Sequence, residues 1–152
     1  METKGGMLIS RIKQLQDRIF GKILAEQGLD INGPQGRILF VLWEKDRLTV
    51  TEIGRRTSLA NTSLTGMLDR MAAMGIVERQ PDPENRRQIT ICLTQKAREM
   101  RRDFEGVSQK MNEIFYWGFS DREIAGFEDV LEKILFNLRR WEETRKKSGR
   151  KD

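Results

Sequence analysis

Thr62, Ser63 and Thr65, followed by Arg70, bring together hydroxyls that both donate and accept hydrogen bonds and a guanidinium with a rigid fork of donors. Small hydroxylated side chains let a helix backbone come close to base edges on the floor of a DNA major groove. Arg70 can reach a guanine or a phosphate, provided Asp69 or Glu78 does not hold it. Arg86 and Arg87 end the run Pro81-Asp82-Pro83-Glu84-Asn85-Arg86-Arg87. A guanidinium on a protruding, proline-stiffened loop suits a narrow minor groove, where the negative potential is enhanced. Arg55 and Arg56 are placed to neutralise phosphates. Each feature also has a plain alternative: a polar face that meets only water, a solvated turn, an isolated cationic pair. The combination is what favours nucleic acid.

Other chemistries have little to work with. The chain of 152 residues contains no histidine and one cysteine, Cys92, which excludes a Ser-His-Asp triad, a zinc site and an intramolecular disulfide. Acid pairs such as Glu142-Glu143, or Asp82 with Glu84, are ordinary solvated charge with no nucleophile beside a base, so no enzyme, cofactor or metal is expected. The 28 Lys and Arg against 23 Asp and Glu leave a formal charge of +5, moderately basic and suited to a polyanionic partner. No stretch approaches the roughly 18 to 20 apolar residues of a membrane span, and Met1 to Ser10 lacks the apolar centre of a signal peptide, so the expected location is cytoplasmic, with no membrane partner.

The elements that must position these residues can be read from periodicity and caps. Ile12, Leu15, Ile19 and Ile23 mark a first amphipathic helix from about Met7 to Gln27, stopped by Gly28. Asn32-Gly33-Pro34 opens a second helix, with proline at the first helical position, running through Ile38, Leu39, Leu42 and Trp43. Thr49-Val50-Thr51-Glu52 has the S/T-x-x-E pattern of a capping box and starts a short third helix that ends near Ser58. A fourth buries Leu64, Met67, Leu68 and Met71, keeps Thr62, Ser63, Thr65, Asp69 and Arg70 on its other faces, and ends at Gly75. Ile76 to Gln80 and Gln88 to Leu93 are strand-like and form a hairpin with a long basic tip; Ile89, Ile91 and Leu93 share one face, leaving Cys92 opposite as a structural or semi-exposed thiol. Thr94 caps a fifth helix carrying Met100, Phe104, Val107, Met111 and Ile114. Ser120-Asp121-Arg122-Glu123 opens a sixth with Phe127, Leu131, Ile134, Leu138 and Trp141 in the same rhythm, a stripe that needs a partner.

The order is a winged helix-turn-helix, mainly α with a small β-hairpin wing, flanked by helices whose apolar stripes need partners. The expected divisions are 1-30 (N-terminal helix), 31-95 (DNA-binding domain), 96-146 (C-terminal helices) and 147-152 (a disordered basic tail). Leu48-Thr49-Val50-Thr51-Glu52-Ile53 resembles the LTxxEL segment of the MarR (multiple-antibiotic-resistance regulator) family. Leu68-Asp69-Arg70-Met71 through Gly75-Ile76-Val77-Glu78-Arg79 resembles its LxRLxxxGLVxR. Asp82-Pro83-Glu84-Asn85-Arg86-Arg87 running on to Leu93-Thr94 is similar to its wing pattern DPxDRR followed by LT.

The resemblance covers nearly the whole chain. It implies that the terminal helices form a dimerisation domain: a homodimer joined through the first, fifth and sixth helices, with Ile12, Leu15, Ile19, Phe127, Leu131, Ile134, Leu138 and Trp141 at the interface, bound to a pseudo-palindromic operator as a repressor. It also puts Thr62, Ser63 and Thr65 on the recognition helix, Arg87 in the minor groove, and a small aromatic or anionic effector between the dimer helices and the DNA-binding lobe. Phe40, Trp43, Phe115, Tyr116 and Trp117 are candidates to line that pocket, or else plain core and interface. Three departures stand out. Asn85 replaces the usual bracing aspartate of the wing, Ala60 replaces a frequent capping serine and leaves Asn61 as the candidate cap, and Gly66 sits where larger side chains are common. No cysteine lies near the amino terminus, so the peroxide-sensing branch is not suggested. The alternative is a winged-helix protein-binding adaptor, which would expose apolar anchors on the fourth helix and wing instead of hydroxyls and arginines.

Overall fold

A computed structural model of the chain describes residues 1–149. Its elements are α1 (Gly5–Glu26), α2 (Gly33–Glu44), α3 (Val50–Thr57), α4 (Asn61–Ala73), β1 (Val77–Pro81), β2 (Ile89–Leu93), α5 (Gln95–Phe115) and α6 (Asp121–Ser148). The chain divides into two compact units, one ending at Asn112 and the other starting at Glu113. Among the described residues no helix is long and apolar enough to cross a membrane.

Local chemistry accounts for most of the boundaries. Gly28 and Gly75, at φ 73 and 74, take the left-handed turns that stop α1 and α4. Ile76 N–H donates to Met71 C=O at 3.1 Å across the second stop, and its side chain packs into the core. Asn32 and Gln35 form a reciprocal capping box on α2 (3.1 and 2.9 Å), so Gly33 is the first helical residue and Pro34 the second, one place later than expected. On α3 the Thr49 hydroxyl accepts from Glu52 N–H at 3.2 Å, but the return bond from the Glu52 carboxylate does not form. Ser120 and Glu123 complete both halves of the box on α6. At α4 the N-cap is Ala60 with no side-chain cap, and Asn61 is the first helical residue instead of the substitute cap.

The core of the first unit is built on Leu24, Ile38, Leu39, Leu42, Leu48, Ile53, Leu64, Leu68, Met71, Ile76, Ile91 and Val107, all fully buried. The hairpin is antiparallel, with Val77 opposite Leu93 and Pro81 opposite Ile89. Leu48 adds a bridge on the far edge of β2: its N–H donates to Ile91 C=O (3.2 Å) and its C=O accepts from Ile91 N–H (2.7 Å). Leu48 thus flanks β2 on the edge away from β1. Cys92, expected to be structural or semi-exposed, is 4% exposed and so structural, whereas Ile89, expected on the apolar face with Ile91 and Leu93, is 45% exposed at the outer end of the strand. Gln80 and Thr90 cover the thiol, which lies 3.7 Å from Gln80 Oε1 and 3.8 Å from Thr90 Oγ1.

The first turn of α5 is fastened to its surroundings. Thr94 Oγ1 donates to Gly75 C=O (2.6 Å) and Lys96 Nζ to Met74 C=O (2.9 Å), joining α5 to the end of α4. Asp46, just past α2, accepts from Leu93 N–H (2.9 Å) and from Arg98 Nη2 (3.1 Å), and Trp43 Nε1 donates to Ala97 C=O (3.1 Å).

In the second unit α6 spans 28 residues without one that is buried. It runs through Lys147 and Ser148, the first residues of the expected basic tail; 150–152 lie outside the described residues. Phe115, Tyr116, Phe119 and Phe127 cluster, Tyr116 meeting the other three edge to face, with Phe115 and Tyr116 rings 4.9 Å apart. Tyr116 donates to Glu128 at 2.8 Å, and desolvation first, then the neighbouring carboxylate, hold its phenol above the ordinary pKa range.

Candidate nucleic-acid interface

The amphipathic pattern of α4 orients it. Leu64, Met67, Leu68 and Met71 are buried, so the intervening Thr62, Ser63, Thr65, Asp69 and Arg70 are exposed, with Gly66 half-buried between them. Thr65 donates its hydroxyl to Asn61 C=O at 3.0 Å, which commits its proton and leaves its lone pairs and methyl group outward. Asp69 is engaged by Arg79 Nη1 at 2.8 Å and Glu78 accepts from Gln80 Nε2 at 3.2 Å, so neither carboxylate holds Arg70.

Arg79 is a residue that sequence reasoning passed over as a candidate. Two places beyond buried Val77 on β1, it takes the side of the strand that turns to α4, and strand alternation was the signal that could have found it. Its pair with Asp69 is solvent-exposed and contributes about 0 to 1 kcal/mol to stability, and its structural effect is to bridge β1 and α4 and occupy the Asp69 carboxylate.

In the wing, Asp82 N–H donates to Gln88 C=O (2.8 Å) and Gln88 N–H to Asn85 C=O (2.9 Å). Asp82 Oδ1 accepts from Glu84 N–H at 2.9 Å, and Asn85 Oδ1 from Arg87 N–H at 3.3 Å. Asn85 therefore braces the loop through its amide oxygen, an acceptor that asparagine and aspartate share. Arg86 and Arg87 are exposed on this tip, and Arg55 and Arg56 are exposed on the last turn of α3.

The first unit also contains a cleft of about 220 Å³, lined among others by Phe20, Gly36, Arg37, Phe40, Phe104 and Met111. Gly36 lets α5 pack closely on α2 beside it, because a Cβ there would lie 2.7 Å from the Phe104 ring. Arg37 forms no ion pair among the described residues. Of the aromatic candidates, Phe40 lines this cleft. Trp43 does not, since its indole N–H is bonded to Ala97 and its ring packs on Phe104, centroids 5.0 Å apart. Phe115 and Tyr116 belong to the aromatic cluster of the second unit, where Trp117 is 85% exposed. Among the described residues no group of three or more His, Cys, Asp or Glu could hold a metal.

Residues 31–89 match the MarR family model. The chain is 31% identical to an uncharacterised HTH-type transcriptional regulator, YsmB of Bacillus subtilis, over 72% of its own length and 75% of that protein's. It is 39% identical to the HTH-type transcriptional regulator TtmR of Methylorubrum extorquens over 55% of its length, and spans only 42% of TtmR. Among solved structures it is similar to a cysteine-to-serine mutant of MarR from Escherichia coli complexed with operator DNA, with a TM-score of 0.78 and 29% identity over 86% of this chain and 92% of that one.

Proposed function

The chain belongs to the MarR family of transcriptional regulators, and from that membership we propose that it is a homodimeric repressor that grips a pseudo-palindromic operator and releases it when a small aromatic or anionic effector binds. Members of this family regulate transcription and are not enzymes. The observation that carries the DNA reading is the outward face of α4, made of hydroxyls and a guanidinium beside an arginine-tipped wing, in a fold shared with a protein held on its operator. Thr62, Ser63, Thr65 and Arg70 meet the major groove, Arg86 and Arg87 the minor groove, and Arg55 and Arg56 the phosphates between. With no side chain capping α4, the N–H groups of its first turn are free to donate to a phosphate, which would serve as the cap.

The dimer reading is supported by two uncovered apolar stripes. Ile12 and Leu15 on α1 are exposed and Ile19 is half-exposed. On α6, Phe127, Ile134, Leu138 and Trp141 are exposed and Leu131 is half-exposed. At about 1.5 to 3 kcal/mol for each large apolar side chain taken fully from water, a second copy is the natural cover. For the effector, the cleft is lined by Phe20, Phe40 and Phe104, with Arg37 unpaired among the described residues and Asp17 already paired with Lys13. An aromatic acid suits that lining, so this reading moves the expected site onto Phe40 and away from Trp43.

Footprinting on genomic fragments tests the proposal. It should show a protected inverted repeat with half-site centres about 10 base pairs apart, with affinity falling steeply between low and physiological salt. Transcription from the protected promoter should fall when the protein is added and recover with an aromatic acid. Protection without a repeat, or binding indifferent to salt, would overturn the operator reading.

A further inference from the structure

One position on the outward side of α4 has no side chain. A Cβ built at Gly66 would have a single neighbour within 4 Å, the Arg70 Nη1 at 3.6 Å. Side chains on a helix lie back over the turn N-terminal to their own Cα, so Arg70 covers Gly66 and carries its guanidinium one turn closer to Thr62 and Ser63. Thr62, Gly66 and Arg70 follow one another at four-residue steps and therefore share one side of the helix. Arg70 forms no salt bridge among the described residues, and its two nearest acidic neighbours in sequence and on the hairpin are occupied by Arg79 and Gln80.

We propose that Arg70, its guanidinium seated over Gly66, reads a guanine in the major groove. This rests on the reading of α4 as the groove-entering helix and adds a base identity to it. Two parallel N–H groups of a guanidinium match the O6 and N7 acceptors of guanine. A large side chain at position 66 would fill the seat and push the guanidinium to the flank of the helix, where it would meet phosphate oxygens and carry no sequence information. The glycine is what makes this arginine a reader.

Selection from a randomised duplex library, followed by titration at several salt concentrations, tests the assignment. The native protein should enrich one invariant guanine in each half-site. Arg70→Lys keeps the charge and loses the fork, so preference at that base should fall roughly tenfold while other positions hold. Gly66→Leu should lose the same preference although Arg70 is intact. Gly66→Ala, whose Cβ stays at ordinary contact distance from the guanidinium, should keep it. Guanine preference surviving Gly66→Leu would overturn the proposal. So would an Arg70→Ala variant that weakens equally on every sequence with a salt slope lower by about one, the mark of a phosphate contact. A native protein that enriches no sequence would overturn the regulator reading as well.

Discussion

Gly54 sets how closely α3 and α4 approach. A Cβ there would stand 2.9 Å from Asn61 Oδ1, 3.3 Å from Leu59 C=O and 3.6 Å from Leu64 Cδ2. Part of that neighbourhood is backbone and cannot rotate away. Gly54→Val should therefore cost about 1 to 3 kcal/mol of stability by overpacking and should tilt α4. Urea titration gives the first effect and loss of DNA binding the second; an unchanged midpoint would mean that the turn between these helices is loose. Arg87 is the opposite case, being exposed, with its backbone N–H bonded to Asn85 and no side-chain hydrogen bond among the described residues. Arg87→Ala should leave the unfolding midpoint and the dimer unchanged, weaken DNA binding, and lower the slope of log affinity against log salt by about one. Monomers in sedimentation of this variant would place the wing at the subunit interface instead.

Between elements, Asp46 is the most connected carboxylate of the first unit. It joins the end of α2 to the end of β2 through Leu93 N–H and to α5 through Arg98. Asp46→Ala should destabilise by about 1 to 3 kcal/mol because the Leu93 amide loses its acceptor; Asp46→Asn keeps an acceptor and should lose less. Equal losses in denaturant titration would show that the charge, not the amide's partner, is what matters. Helices were legible in the sequence wherever a cap or a stop is written locally, as at Asn32, Ser120, Gly28 and Gly75, and the buried stripe of α4 followed from spacing alone. The burial of Cys92 was not legible, because its cover comes from Thr90 and Gln80, polar side chains that alternation assigns to a solvated face. Asp46 was hidden because its partners Leu93 and Arg98 lie 47 and 52 residues away. For the candidate interface, residue types and spacing were enough to foresee that Thr62, Ser63, Thr65 and the wing arginines are exposed, but not the Arg79–Asp69 pair that lies between helix and wing.

Across the whole molecule the apolar stripe of α6 has the largest thermodynamic consequence. Leu138 and Trp141 are 64% and 62% exposed in a single chain, a poor arrangement for a helix of this length unless another surface covers it. Leu131→Glu combined with Leu138→Glu should give a folded monomer with unchanged helical content, read by sedimentation and circular dichroism. Operator affinity should fall roughly a hundredfold or more, because a monomer holds one half-site without the effective concentration of a tethered partner. A double variant that stays dimeric would remove α6 from the interface. A different long-range consequence follows from the two bonds that Thr94 and Lys96 make to the carbonyls of Gly75 and Met74, just past α4. They couple α5 to α4 as a crank is keyed to its shaft. Phe104, Ser108 and Met111 of α5 wall the cleft, so in the proposed regulator a guest leaning on that wall would shift α4 without touching any of the residues proposed to face DNA.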